Sequence, residues 1–117
     1  MTVQQIADRV KTQFPHSYDD DMVLTWVNDL ERVIAEVFTH YVDTATYTFT
    51  EHTKMSDDVQ LARPEIYVPW VISQICLANE EYNRYNNHIA VFDGKYNDWK
   101  DEYIRTHMPV QKGRFIL

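Results

Sequence analysis

Two stretches near the start of the chain have apolar residues at helical spacing. Thr2, with Gln5 three positions later, fits a capping box, and apolar residues three or four apart follow up to Phe14 and Pro15. Residues 2 to about 13 are therefore predicted to form a first helix. The three aspartates at residues 19–21 place negative charge where a helix N-terminus favours it, so a second helix is predicted from there to about Tyr41.

The second helix is predicted to be amphipathic. Its apolar positions recur in steps of four and three, and they are Val23, Val27, Leu30, Ile34, Val37 and Tyr41. The positions predicted to face solvent are Asn28, Asp29, Glu31, Arg32 and Glu36. We expect the apolar face to belong to the core.

From Thr44 to Thr50 the pattern changes to strict alternation, with threonines on one side and Ala45, Tyr47 and Phe49 on the other. This pattern is typical of a half-buried β-strand. Residues 59–61 are its predicted partner, which gives a short β-hairpin at about 44–61. Because a lone hairpin is only marginally stable, it is expected to lie against the helices or against another chain.

The longest apolar pattern begins near Pro69 and continues without a miss to Tyr103. Its members are Val71, Ile75, Ala78, Tyr82, Tyr85, Ile89, Phe92, Tyr96, Trp99 and Tyr103. An unbroken helix from Pro69 to His107 would be about 58 Å long, whereas a compact domain of this size has a radius of gyration of about 13 Å. The helix therefore either bends back near Gly94, which is the favoured interpretation because glycine is a poor helix former, or packs its far end on a neighbouring subunit.

These elements predict a mainly all-α fold. It is a small helical bundle with one long C-terminal helix or an antiparallel helix pair, and with the short β-hairpin. Residues 1–107 are predicted to form one helical domain, and residues 108–117 a C-terminal docking tail, because Met108 and Pro109 stop the preceding helix.

Composition and charge narrow the classes of function. The 117 residues carry a formal net charge of -7, and all eighteen acidic residues precede Arg105, whereas residues 105–117 hold three basic residues and no acidic one. An acidic body repels phosphate backbones, so sequence-specific DNA binding is not expected. Only two glycines occur, at Gly94 and Gly113, which excludes a glycine-rich phosphate-binding loop. The single Cys76 and the N-terminal sequence indicate an intracellular protein.

No catalytic or metal-binding motif is recognisable. The five histidines are His16, His40, His52, His88 and His107. They lack the close spacing of metal motifs, and the best pair, Glu36 with His40, supplies only two ligands. Cys76 lies in an apolar stretch typical of a buried, inert thiol. We therefore expect no enzyme activity, no metal and no cofactor.

The aromatic residues indicate an interaction surface, because aromatic side chains are enriched in interface cores. Trp26, Phe38 and Tyr85 are predicted to fill the core of the domain itself. The residues predicted to contact another subunit or partner are Tyr47, Phe49, Tyr96, Trp99, Tyr103, Arg105, Arg114, Phe115, Ile116 and Leu117. The last four belong to the predicted docking tail, which a monomer gains nothing by exposing.

Two stretches of this sequence resemble the small head-tail connector (adaptor) proteins of tailed bacteriophages and related prophages. The first stretch comprises PHSYDDD at residues 15–21 and WVNDLE at 26–31. The second runs from LARPEIY at 61–67 through NE at 79–80 and YNN at 85–87 to YIRTHMP at 103–109. Together they cover most of the chain.

The resemblance implies a helical subunit that assembles into a ring, commonly twelvefold, in the virion neck below the portal, after synthesis in the bacterial cytoplasm. The implied partners are further copies of the chain, the portal protein, and a tail-side connector or tail completion protein. DNA would only pass through, and no membrane is involved. The alternative from the residues alone is an acidic helical regulatory or inhibitory module that covers a cationic surface of another protein.

Overall fold

The computed structural model describes residues 1–41 and 49–107, with side chains described for 1–38 and 49–106. Its helices in chain order are α1 (Val3–Gln13), α2 (Asp20–Tyr41), α3 (Pro64–Ala78) and α4 (Tyr82–His107). The described part is mainly α-helical, as predicted. The predicted tail at 108–117 lies outside the described residues.

The first two helices begin where their capping residues predict. Gln5 donates its backbone N–H to Thr2 Oγ1 (3.2 Å), and Thr2 donates its N–H to Gln5 Oε1 (2.9 Å), which completes the predicted capping box of α1. At the start of α2, Asp19 Oδ1 accepts a hydrogen bond from the Met22 N–H (3.0 Å). Both helices therefore satisfy exposed amides of their first turns with side chains just outside them.

The predicted β-hairpin is wrong for the residues that can be compared. Residues 44–48 of its first strand lie outside the described ranges, and Phe49, Thr50 and residues 59–61 form no strand. Val59 instead donates its N–H to the Met1 carbonyl (2.9 Å), next to an isolated antiparallel bridge between Thr2 and Asp58. This segment therefore pairs with the N-terminal segment.

The start of α1 explains why residues 55–59 pair there. The amides of Val3 and Gln4 lie in the first turn of α1 and have no acceptor within the helix. They donate to the carbonyls of Asp57 (3.0 Å) and Met55 (2.8 Å). The loop therefore completes the hydrogen bonding of a helix end.

The long apolar pattern folds into an antiparallel helix pair, but the predicted break near Gly94 and the predicted start near Pro69 are both wrong. The chain turns at residues 79–81, and α4 continues through Gly94, where an added Cβ would meet no atom within 4 Å. Helix α3 already begins at Pro64, which suits a first turn, and Pro69 lies inside it. The antiparallel arrangement itself is confirmed, since Trp70 of α3 contacts Phe92 of α4 (ring centroids 5.1 Å apart).

A Schellman motif forms the turn between α3 and α4. The N–H of Glu81 donates to the Cys76 carbonyl (2.8 Å) and the N–H of Glu80 to the Leu77 carbonyl (3.1 Å). Glu80 has a φ of 60°, in the left-handed region where glycine is usual. Because a glutamate holds this position, the sequence lacks the glycine that normally predicts such a turn.

Helix α3 is the centre of the molecule and contacts each of the other three helices. It is buried on most sides, and its indole Trp70 Nε1 donates to the Trp26 carbonyl of α2 (2.8 Å). The predicted core residues Trp26 and Phe38 are buried, and Tyr85 is half-buried against the core. The radius of gyration is 15.8 Å, above the value of about 13 Å for a compact domain of this length, so the molecule is elongated.

Candidate assembly surfaces and a buried carboxylate cluster

A carboxylate on α2 is the most buried acidic group among the described residues. Glu31 is 2% exposed, and it accepts hydrogen bonds from Tyr67 Oη (2.5 Å), His52 Nε2 (2.7 Å) and the Gln60 N–H (2.8 Å). The Tyr67 hydroxyl in turn accepts from the Leu61 N–H (3.0 Å). Glu31 thereby joins α2, α3 and the loop that precedes α3.

Asn28, one helical turn before Glu31, holds the same loop through its backbone. Its Nδ2 donates to the His52 carbonyl (2.9 Å), and the His52 N–H donates back to Asn28 Oδ1 (2.8 Å). Asn28 is 4% exposed. We refer to Asn28, Glu31, His52, Gln60 and Tyr67 as the Glu31 cluster.

The prediction that Asn28 and Glu31 face solvent is therefore wrong. The apolar spacing of α2 accounts for one buried face, but the loop covers a second face of the same helix. A signal was present in the sequence, because Val27, Ile34 and Ala35 lie three or four positions from Glu31 and so adjoin it on the helix surface. A carboxylate bordered in this way by apolar residues needs hydrogen-bond donors from another segment.

An open cavity of about 460 Å³ lies beside the cluster and is lined by the loop together with Glu31 of α2. Asp57 Oδ2 on its wall accepts from the amides of Lys54 (3.0 Å) and Thr53 (2.9 Å), and these two bonds hold the pKa of Asp57 below its usual value. Glu51 on the same wall lies 3.7 Å from Arg32. Asp57 and Glu51 thus serve contacts within the loop and with α2.

Phe49, a predicted interface residue, lies at the edge of this cavity and is half-buried. The Arg32 guanidinium covers its ring at 5.1 Å from the centroid, in a cation–π contact. Tyr47, its predicted neighbour on the strand, lies outside the described residues. Of these two aromatic residues, the structure describes only Phe49, and Arg32 of the same chain partly covers its ring.

The predicted aromatic interface residues of α4 belong to a row of ring contacts along the α3–α4 and α2–α4 seams. Successive ring centroids are 5.4 Å (Phe92–Tyr96), 5.9 Å (Tyr96–Trp99) and 5.5 Å (Trp99–Tyr103) apart. Phe38 of α2 closes the row, 5.0 Å from Tyr103 and 6.1 Å from Trp99. The far end of α4 therefore packs on its own chain.

These aromatic residues differ in how much surface they leave for a partner. Trp99 is 6% exposed and fills the core, whereas Tyr96 and Tyr103 are half-buried. Burial raises the pKa of Tyr103. Arg105 is exposed in the last turn of α4, where a cation is favourable, and Arg114, Phe115, Ile116 and Leu117 lie outside the described residues.

The thiol and one histidine ring can be placed, whereas the side chain of His40, the partner of Glu36 in the best sequence pair, lies outside the described residues. Cys76 is fully buried, and desolvation raises the pKa of its thiol. His16 Nδ1 accepts from the Tyr18 N–H (3.0 Å), and burial, followed by the charge of Lys11, lowers the pKa of His16. In the described ranges no group of three or more His, Cys, Asp or Glu residues could hold a metal ion.

Several large apolar side chains remain on the surface. Those that are exposed are Met22, Val33, Leu77, Tyr82 and Val91. They are distributed over α2, α3 and α4 rather than gathered at one cleft. Among the described helices, none is long and apolar enough to cross a lipid bilayer.

Compared with known proteins, the chain matches no family model, no curated protein and no solved structure.

Proposed function

We propose that the chain is a non-enzymatic structural protein of a tailed-bacteriophage virion, a connector that joins head to tail. Copies would assemble as a ring below the portal, commonly twelvefold, and DNA would pass through its centre. The portal protein and a tail-side connector or tail completion protein would be its partners. The protein would be made in the cytoplasm of the bacterial host and reside in the neck of the virion.

The observation that carries this proposal is that the two stretches resembling connectors contact each other. Tyr18 of the first stretch donates its hydroxyl to Asn79 Oδ1 of the second. Tyr67 of the second stretch donates to Glu31 of the first. The resemblance therefore concerns residues that hold one structural unit together, rather than two unrelated segments.

The use of the buried polar groups supports a structural role over catalysis. Catalytic carboxylates and histidines must be able to exchange a proton with a bound substrate. Glu31 lines the open cavity, but its carboxylate accepts three hydrogen bonds from its own chain, and Asn28 is engaged with the loop backbone. These groups fix the loop on α2 and α3, as a rigid assembly unit requires.

The charge distribution supports a role beside DNA in transit. The acidic residues all lie before Arg105, so the helical body carries the negative charge and the residues after it are basic. A negative body does not retain a translocating duplex, because like charges repel. The basic residues Arg105, Lys112 and Arg114 would suit an arm that contacts an acidic surface of a neighbouring subunit or partner.

Purified virions test the proposal directly. We expect the chain to be present in particles at a fixed copy number, and negative-stain images of isolated necks to show a ring that antibodies against the chain label. Absence from purified particles would overturn the proposal. A stable one-to-one complex with a soluble host protein, without incorporation into particles, would establish the alternative acidic regulatory module.

Truncation after His107 tests the proposed arm. We expect the shortened chain to keep its helical circular dichroism and cooperative unfolding, because the described core lies before residue 108, while completion of infectious particles stops. A full-length Gln111→Ala variant is the matched control and should complete particles. Normal phage yield from the truncated chain would exclude a docking role for residues 108–117.

A further inference from the structure

A groove on one side of the molecule has an apolar floor and cationic edges. Helices α1 and α4 both pack against α3, and an opening of about 300 Å³ lies between them over the first half of α3. Apolar side chains from α3 and α4 line it, namely Pro64, Val68, Pro69 and Val91. Val91 is 51% exposed, so this apolar surface is open to solvent.

The edges of this α1/α3/α4 groove carry two cations, although the net charge of the chain is negative. Arg9 extends from α1 and Lys95 from α4. Within residues 1–41 and 49–107 neither side chain forms an ion pair. The one carboxylate that lines the groove, Glu65, lies 3.5 Å from Arg63. The groove therefore suits an apolar side chain flanked by carboxylates.

The outer face of α2 presents that combination. Val33 is 40% exposed, although its neighbours on the other face of α2 form the core. Asp29 and Glu36, both exposed, lie four positions before and three positions after Val33, which places them on the same helical face. Arg32 on this face is turned toward Asp29 (3.0 Å) and Glu51 (3.7 Å).

The two surfaces lie on opposite sides of the molecule. On α3, Tyr67 faces α2 through its bond to Glu31. Pro69 lies two residues further, which is about 200° around the helix, and it lines the groove. Since Val33 points away from the core on the far side of α2, one copy cannot bring its own Val33 to its own groove.

We propose that Val33 of one copy inserts into the α1/α3/α4 groove of a second copy, with Asp29 and Glu36 facing Arg9 and Lys95. This contact joins two different surfaces, so it is heterologous and repeats from copy to copy, closing into a ring where the rotation permits. The inference rests on the self-association in the proposed function and names the surfaces that carry it.

Cysteine cross-linking tests the pairing with full-length protein, both in purified virions and in concentrated solution. Under oxidation, a Val33→Cys/Val91→Cys double variant should give a ladder of covalent oligomers, because each copy then carries both halves of the contact. Each single variant should give no ladder, and mixing the two should give heterodimers. Dimers from Val33→Cys alone would show a symmetric contact and overturn the proposal.

Charge reversal provides an independent readout by light scattering. Lys95→Glu should weaken self-association about tenfold or more, and adding Glu36→Lys should restore it. Lys54→Glu, which makes the same charge change away from the groove, should leave it unaltered. Assembly unchanged by Lys95→Glu, in virions that contain the chain, would refute this contact while leaving the connector function standing.

If the chain is absent from virions, the proposed connector function is wrong. The cross-linked ladder in solution then still shows whether Val33 of one copy contacts the groove of another. No self-association of the wild-type chain in either setting would overturn both proposals.

Discussion

Replacing Glu31 tests whether the Glu31 cluster holds the loop before α3 in place. In Glu31→Ala, the Tyr67 hydroxyl and the Gln60 amide lose a buried, charged acceptor, and His52 loses its partner. Leaving a buried donor without its acceptor costs about 1–3 kcal/mol for each group. Because domains are stable by only about 5–15 kcal/mol, this loss is a large share of the total.

The isosteric variant gives a smaller, interpretable loss. Glu31→Gln keeps the shape of the side chain and one acceptor oxygen. Its NH2 group cannot accept the hydrogen bond that the second carboxylate oxygen accepted, so we expect the free energy of unfolding to fall by about 1–3 kcal/mol. Tyr67→Phe removes one of the donors and should cost a similar amount. The two changes should be coupled by about 0.5–3 kcal/mol in a double-mutant cycle, because the residues are in direct contact.

Urea denaturation followed by far-UV circular dichroism measures these losses, and hydrogen exchange at the amides of Gln60 and Leu61 reports the release of the loop. Glu102→Gln, on the exposed face of α4, is the matched control and should stay within about 0.5 kcal/mol of wild type. A Glu31→Ala loss below about 1 kcal/mol, or no coupling between Glu31 and Tyr67, would refute the structural role of the cluster.

Three smaller perturbations test other parts of the fold. Glu80→Gly should raise the free energy of unfolding by about 0.5–1 kcal/mol, because glycine adopts the left-handed turn without strain. The control Glu102→Gly, within α4, should lower it by about 1 kcal/mol. A lower free energy of unfolding for Glu80→Gly would contradict the turn geometry. Gly94→Ala should raise the melting temperature through about 1 kcal/mol of helix propensity, since an added Cβ meets no atom within 4 Å, and a lower melting temperature would contradict the continuous α4. Because the pKa of Asp57 is lowered in the folded state, its carboxylate stabilises the fold above the unfolded pKa and loses this effect as the pH falls through the folded pKa. The difference in unfolding free energy between wild type and Asp57→Asn should therefore shrink between about pH 7 and pH 3. A difference that stays constant with pH would contradict this role of Asp57.

The chain sequence by itself determined the features that depend on neighbouring residues. The capping box of Thr2 and Gln5, the aspartates at the start of α2 and the apolar spacing of both helices predicted their positions, because these signals act within a few residues. The regular pattern from Val71 to Tyr103 likewise predicted one continuous apolar stripe. In the structure this stripe is divided between α3 and α4. Its length also indicated that the chain either folds back or packs its far end on a neighbouring subunit, since so long a helix could not pack on its own domain.

Only the tertiary structure decided where the chain turns and which polar residues are buried. The turn at residues 79–81 uses Glu80 in a conformation that a glutamate adopts with strain, so contacts between α3 and α4 must select it over a bend at Gly94. The burial of Asn28 and Glu31 depends on a loop that arrives more than twenty residues later in the chain. The spacing of apolar residues predicts which face of a helix packs on a neighbouring helix. It does not predict which hydrogen-bond donors a distant loop supplies to the other faces.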